Sequence, residues 1–153
     1  MKRPARALNL AAVVLAPGER AGLAAALRRA ELPADDVDEP GHLFWRFETA
    51  DGLPVGFGGL EIHGREALLR SMMTMPPVRG QGVGRAMVTA LEREAAERKC
   101  RAVWLLTATS TKFFERLGYA VRVRADAPAA IRKTAQFSTL CPASAKVMMK
   151  RLG

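Results

Sequence analysis

"SMMTMPPVRGQGVGR", residues 71–85, decides how the rest of the chain is read. Its first half is a strand pattern that stops at Pro76-Pro77. Its second half sets Gly80, Gly82 and Gly84 between Arg79 and Arg85, just ahead of a long helix pattern. Glycine lets main-chain N–H groups approach an anion, and a helix start adds partial positive charge, so the segment reads as a phosphate cradle. Two familiar cradles are excluded. No Gly-Lys-Ser/Thr closes the loop, as a nucleoside triphosphate P-loop requires, and a dinucleotide fingerprint needs a third glycine where Arg85 stands. The loop also follows the fourth strand pattern rather than the first.

Working outward, "REALLRSMMTM" leads into the cradle. Before it come "HLFWRFETA", ending at Asp51-Gly52, and "LPVGFGGLEI", ending at His63-Gly64. Short D-G and H-G connections predict hairpins, so the three segments form an antiparallel meander. Upstream, Leu8 to Leu15 reads as a first strand, residues 17–31 as an Ala- and Leu-rich helix opened by Pro17, and "PADDVDEPG" as loop. Downstream, residues 82–99 place Val83, Met87, Ala90, Leu91 and Ala95 on one helical face. "AVWLLT" is a continuous apolar run suited to a buried parallel strand. The helix "TSTKFFERLG" ends at Gly118, and "YAVRVRA" is a strand. The tail holds a short helical stretch, "APAAIRKTAQF", and a last strand within "CPASAKVMMKRL". The order is β-α-loop-β-β-β-α-β-α-β-(α)-β, an α/β class with a mixed sheet.

The 153 residues suit one domain spanning 1–153, and 49% hydrophobic with 25% charged residues is the balance of an ordinary globule. The net charge of +9 is uneven: residues 31–50 carry six acidic groups against Arg46, while residues 101–153 carry ten Lys/Arg against Glu115 and Asp126. Basic residues scattered without aromatic interleaving argue against a nucleic-acid partner. No run approaches the ~18 apolar residues of a membrane span. The basic start followed by a short apolar stretch imitates a signal peptide, but no good A-x-A site follows it and the stretch passes directly into a helical pattern. Two cysteines, Cys100 and Cys141, make neither a C-x-x-C pair nor a disulfide scaffold, so a cytoplasmic setting is expected.

"SMMTMPPVRGQGVG" resembles the "L-x-V-x-P-x-x-R-G-x-G-x-G" signature of the GNAT superfamily of acyl-CoA-dependent N-acyltransferases, and "FFERLGY" resembles its "Y-x-x-x-G-F" helix end. Within that family, "LLRSMMTMPPVRGQGVG" with "LLTATSTKFFERLGY" is similar to the acetyltransferase domain of N-acetylglutamate synthases. The tail is similar to small acetyltransferases encoded with arsenic-resistance genes. The resemblance implies a mixed sheet of about seven strands flanked by helices, with a splayed parallel strand pair. It implies acetyl-CoA as acyl donor, no metal, transfer to the primary amine of a small amino-acid-like acceptor by direct attack in a ternary complex, and a possible homodimer.

It also implies roles. Arg79, Gly80, Gln81, Gly82, Val83, Gly84 and Arg85 would hold the CoA pyrophosphate, Arg85 either pairing with phosphate or standing solvated. Met72, Met73 and Thr74 would line the pantetheine, with a main-chain N–H near Met73 or Thr74 polarising the thioester carbonyl. Thr107 stands where many relatives have Asn and would contact the pantetheine or a water.

Arg70 interrupts an apolar strand, where a guanidinium needs an anionic partner. A His63-Gly64 turn would set it opposite Phe57, with Leu69 and Ser71 opposite Gly58 and Gly56, whose missing side chains would leave room for a ligand. Arg70 then binds either the acceptor's carboxylate or, structurally, Glu48 or Glu61. Those two carboxylates are the candidate general bases, or else exposed strand residues. Phe114 stands where many relatives have a tyrosine that protonates the leaving thiolate, and phenylalanine cannot donate a proton. The only tyrosine, Tyr119, is expected in the core. Cys141 either lines the acceptor site or is a small buried thiol. The missing tyrosine keeps a non-catalytic CoA-binding sensor as the alternative function.

Overall fold

The structure, a computed structural model, describes residues 10–32, 34–37, 39, 41–75, 82–140 and 144–153, with the side chains of 139 and 140 excepted. Its strands are β1 (Ala11–Val14), β2 (His42–Glu48), β3 (Pro54–His63), β4 (Glu66–Thr74), β5 (Ala102–Thr107), β6 (Ala120–Arg122) and β7 (Lys146–Arg151). Its helices are α1 (Arg20–Arg29), α2 (Val83–Glu97), α3 (Thr111–Arg116) and α4 (Ala129–Arg132), followed by a π-helical turn at Gln136–Leu140. The expected order of elements is present. The strands form one sheet in the order β1-β2-β3-β4-β5-β7-β6. The first four are an antiparallel meander, β4 and β5 are parallel, and β7 enters antiparallel between β5 and β6.

Both faces of the sheet are covered, as a parallel pair requires. On one face α2 packs Val83, Met87, Leu91 and Ala95 against Phe47, Leu60 and Leu69, joined by Phe114 of α3. Burying a Met or Leu side chain in this way contributes about 1.5–3 kcal/mol. The opposite face carries α1, whose Leu23 and Leu27 meet Phe44, and α4, whose Ile131 shares a cluster with Leu68 and Trp104.

The β3–β4 hairpin departs from the expected register. His63 pairs with Glu66, so the turn is Gly64-Arg65 rather than His63-Gly64, with Gly64 at φ 63°. Arg70 consequently lies opposite Gly59, not Phe57. A second shift falls between Phe57 and Gly59, so Ser71 and Met72 together face Gly58, a bulge in β4. Ser71 sits at φ 58°.

The β3 glycines serve packing instead of leaving ligand space. A Cβ on Gly56 would lie 2.3 Å from the Met73 carbonyl oxygen and 2.7 Å from the Met87 sulfur. On Gly58 it would meet Leu91 at 2.8 Å, and on Gly59 the Phe44 ring at 2.6 Å. Glycine here lets α2 and β2 close onto β3, a tertiary demand that no local pattern reveals.

Candidate functional site

The parallel pairing of β4 with β5 is short. Glu66, Ala67 and Leu68 pair with Ala102, Val103 and Trp104, after which the two strands diverge. From Leu69 onward β4 has β3 on one side and an opening on the other. Met75 N–H donates to Val55 O at 2.9 Å on the β3 side. Main-chain groups alternate sides along a strand, so the N–H groups of Thr74 and Met72 face the opening.

Three cavities meet at this stretch of β4. One of about 380 Å³ lies on the α2 face, bounded by Met72–Thr74, the first turn of α2 at Gly82–Arg85, and Phe113 and Phe114. A second, about 680 Å³, fills the opening between Leu69–Met72 and Leu105–Thr109, closed by Phe114, Gln136 and Glu31. A third, about 610 Å³, runs between α1 and β3–β4, with Leu23, Phe57, Met73 and Thr74 as walls and Glu19 and Arg46 among its polar lining. Met72 and Phe114 border the first two, while Met73 and Thr74 border the first and third.

The cradle glycines divide into two kinds. Gly82 caps α2 at φ 76°, with nothing within 4 Å of where a Cβ would sit. It combines the left-handed conformation with open space at a helix start, which suits an anion. Gly84 instead admits Phe113, whose ring would lie 3.1 Å from an added Cβ. Val83 is buried and Arg85 exposed. Arg79, Gly80 and Gln81 lie outside the described residues, as does Cys141.

The face of β3 and β4 that carries α1 holds a buried charge network. The Arg70 side chain is fully buried. Its Nη1 and Nη2 donate to the two Asp36 carboxylate oxygens, Nη1 also donates to Glu61 Oε2 at 3.0 Å, and Nε donates to Ser71 Oγ at 3.0 Å. The guanidinium carbon lies 5.4 Å from the Phe44 ring centre. His42 places Nδ1 3.0 Å from the Asp36 main-chain oxygen and Nε2 3.3 Å from Glu61 Oε1, and His63 Nε2 is 3.1 Å from that same oxygen.

Burial pushes the Glu61 carboxyl upward, but hydrogen bonds and charge from His42, with His63 and Arg70, outweigh it and hold it at about 2. Burial lowers the His42 imidazole while the Glu61 hydrogen bond and charge raise it; the net direction is upward. Ligand atoms of Asp36, His42 and Glu61 lie within 4.8 Å of one another, a spacing that could hold a metal ion. The Arg70 guanidinium, already bonded to both carboxylates, is the cation of this cluster.

The expected site residues therefore fall into separate places. Met72, Met73, Thr74, Gly82, Val83, Gly84, Arg85 and Thr107 all border the two cavities at the β4–β5 opening. Thr107 Oγ1 accepts from Ser110 N–H at 2.9 Å, which fixes the turn into α3. Glu61 faces the charge network, and a carboxylate held at about 2 takes up a proton poorly. Glu48 accepts from Arg46 Nε at 2.7 Å. Of the carboxylates the sequence did not single out, Glu31 lines the opening and Asp36 holds Arg70. Arg70 pairs with Glu61, one of its two expected structural partners, and also with Asp36, which lies in the segment read as an acidic loop and which the need of a strand-bound arginine for an anion signalled only in general. Tyr119 is buried as expected. Its hydroxyl donates to Glu92 at 2.9 Å, and burial, with Glu92 beside it, pushes its pKa well up. Cys100 is buried, which raises its thiol.

Solved structures of known proteins share this architecture. An acetyltransferase of the GNAT family from Staphylococcus aureus Mu50 superposes with a TM-score of 0.72 at 15% identity, covering 95% of this chain and 100% of that one. N-acetylglutamate synthase from Neisseria gonorrhoeae, complexed with coenzyme A and N-acetyl-glutamate, gives 0.73 at 14% identity over 95% of this chain, which spans 35% of the synthase. Rv2747 from Mycobacterium tuberculosis, in complex with CoA, gives 0.70 at 21% identity, covering 92% and 99%. At these identities the likeness is one of fold. No curated protein matches the sequence. The sequence profile of the Acetyltransferase (GNAT) family matches residues 15–119, more than half the chain, and with the splayed β4–β5 pair beside an open helix start, it follows that the chain belongs to the GNAT acetyltransferase family.

Proposed function

We propose that the protein is an acetyl-CoA-dependent N-acetyltransferase that transfers the acetyl group to the primary amine of a small amino-acid-like acceptor by direct attack in a ternary complex. The observation that carries this reading is the strand opening after Leu68 and Trp104, which connects the cavity at the α2 start with one of about 680 Å³. In this reading Gly82, Val83, Gly84 and Arg85, with Arg79, Gly80 and Gln81, receive the CoA pyrophosphate. Pantetheine runs past Met72, Met73 and Thr107.

The thioester carbonyl accepts a hydrogen bond from the Thr74 or Met72 main-chain N–H, which stabilises the oxyanion as the amine attacks. The amine must lose a proton within reach of a base. Glu31, which lines the opening, is better placed for this than Glu61 or Glu48, which do not line it. No tyrosine hydroxyl reaches the opening, so the thiolate leaves with help from water or from a hydroxyl such as Thr107. An acceptor carboxylate would reach Arg70 only by displacing Asp36, and the size of the cavity rather than a free cation supports a small acceptor.

The neighbouring synthase structure, which holds CoA and N-acetyl-glutamate, supports the same donor and acceptor class. The test is release of CoA from acetyl-CoA with a panel of amino acids and amino-acid-like antimetabolites, alongside calorimetric CoA binding. Absence of CoA binding ends the proposal. Tight binding without turnover on any amine would favour a non-catalytic CoA sensor, the reading that Phe114 at the opening motivates.

A further inference from the structure

We infer that Asp36 is a positioning residue for the reacting stretch of β4: through Arg70 it clamps the Ser71 bulge, and the bulge sets the direction of the Met72–Thr74 main chain. The geometry forms an unbroken line. Asp36, 4% exposed, stands in the segment joining α1 to β2 and gives both carboxylate oxygens to Arg70. Arg70, buried on β4, turns its remaining Nε–H to the hydroxyl of its neighbour Ser71. Ser71 occupies the left-handed backbone region at φ 58°, which a residue with a Cβ avoids unless its surroundings impose it. At this point β4 has already lost β5 as a neighbour, because pairing ends at Leu68 with Trp104. A strand with one free side and a disfavoured residue needs an external hold, and the Asp36–Arg70–Ser71 line supplies one.

The register explains why the hold matters. Because Ser71 and Met72 together oppose Gly58, the bulge reverses which residues beyond it point to each face and which main-chain groups meet the opening. With the bulge, Met72 packs on the α2 face near Gly58, and Met73 on the α1 face with Phe57. A loosened bulge would blur the aim of the Met72 and Thr74 N–H groups. The acidic α1–β2 segment therefore contributes to carbonyl polarisation without touching the donor. This consequence for catalysis rests on the proposed acyl transfer, while the clamp itself does not.

The test compares Asp36→Asn, Ser71→Gly and the neighbouring control Asp35→Asn, whose own partner Arg28 is well exposed. Amide hydrogen exchange is read for residues 71–75 against β5, together with CoA affinity and the split between kcat and KM for acetyl-CoA. Asp36→Asn is expected to raise exchange at 71–75 at least tenfold with β5 unchanged. Its kcat should fall about tenfold and the acetyl-CoA KM should stay within about twofold. Ser71→Gly removes the hydroxyl but relieves the backbone, so it should keep its melting temperature and still show the faster exchange. If Asp36→Asn does not fold, Ser71→Gly decides. Unchanged exchange at 71–75 in the folded variants overturns the clamp, and a fall in melting temperature with kcat per folded molecule intact overturns the positioning role in catalysis. A wild-type protein without acetyl transfer would defeat the proposed function while the exchange comparison still decides the clamp.

Discussion

Replacing Arg70 with Met tests the network most directly, since the new side chain fills much of the volume but carries no charge. The substitution removes the partner of two buried carboxylates, Asp36 at 4% and Glu61 at 1% exposure. Removing one member of a buried pair costs about 3–5 kcal/mol, because the remaining charge is left without compensation. His42 and His63 still face Glu61, whereas both Asp36 carboxylate oxygens lose their Arg70 donors, so about 4 kcal/mol is expected at pH 7. For a chain of this length that lowers the melting temperature by about 10 °C. Urea unfolding, followed by the fluorescence of the buried Trp45 and Trp104, is the assay.

The pH dependence separates charge loss from poor packing. In the parent, Glu61 stays ionised until about pH 2. In Arg70→Met, Glu61 loses the Arg70 charge that helps hold it low and protonates at higher pH than in the parent, so the stability gap should narrow as pH falls from 4.5 toward 2. Adding Asp36→Asn to Arg70→Met should recover at least about 1 kcal/mol. A gap below about 1 kcal/mol at pH 7, or one that stays constant with pH, would refute the electrostatic account. If Arg70→Met raised only the acceptor KM in a fully stable protein, the guanidinium would be a ligand group instead.

Other consequences follow from the same geometry. Glu61, depressed from 4.5 to about 2, contributes about 3 kcal/mol that is fully present above pH 4.5 and lost as pH falls toward 2. His42, raised above 6.5, contributes stability that is complete below that value and lost as pH climbs through its folded pKa, so unfolding titrations should show decay on both sides. Gly84→Ala puts a Cβ 3.1 Å from the Phe113 ring, and the shift of α3 against α2 should weaken CoA binding at least several-fold by calorimetry; unchanged affinity would show that the groove absorbs it. Glu31→Gln should lower kcat/KM for the amine about 10²-fold and leave CoA affinity unchanged, and an unaltered pH profile would remove Glu31 as base.

The motifs at 71–85 and 111–119, with the alternation and helical periodicity around them, were sufficient for the α/β class, the order of elements and the family. Those signals are local: a strand, a glycine-rich helix start and a helix end each depend on neighbours within a few residues. Even the departure at Phe114 was visible, because it is a matter of residue type alone. The residues around the α1-side face were not legible in the same way. A single displaced turn residue, Gly64-Arg65 in place of His63-Gly64, moved Arg70 from Phe57 to Gly59. The bulge at Ser71 then re-aimed everything after it, and hairpin register is fixed by packing and turn geometry that sequence spacing does not encode.

Composition and local pattern thus pointed to the α/β class, the GNAT family and a glycine-rich helix start after β4, where Gly82 caps α2 beside open space. Only the tertiary structure decided that Asp36 joins Glu61, one of the partners expected for Arg70, in holding the guanidinium, because Asp36 lies 34 residues away in the chain. Only the tertiary structure, too, decided that the β3 glycines admit Met87, Leu91 and Phe44 rather than a ligand. Both depend on which distant side chains meet across a closed sheet, and a buried charge or a missing Cβ acquires meaning only from that neighbour.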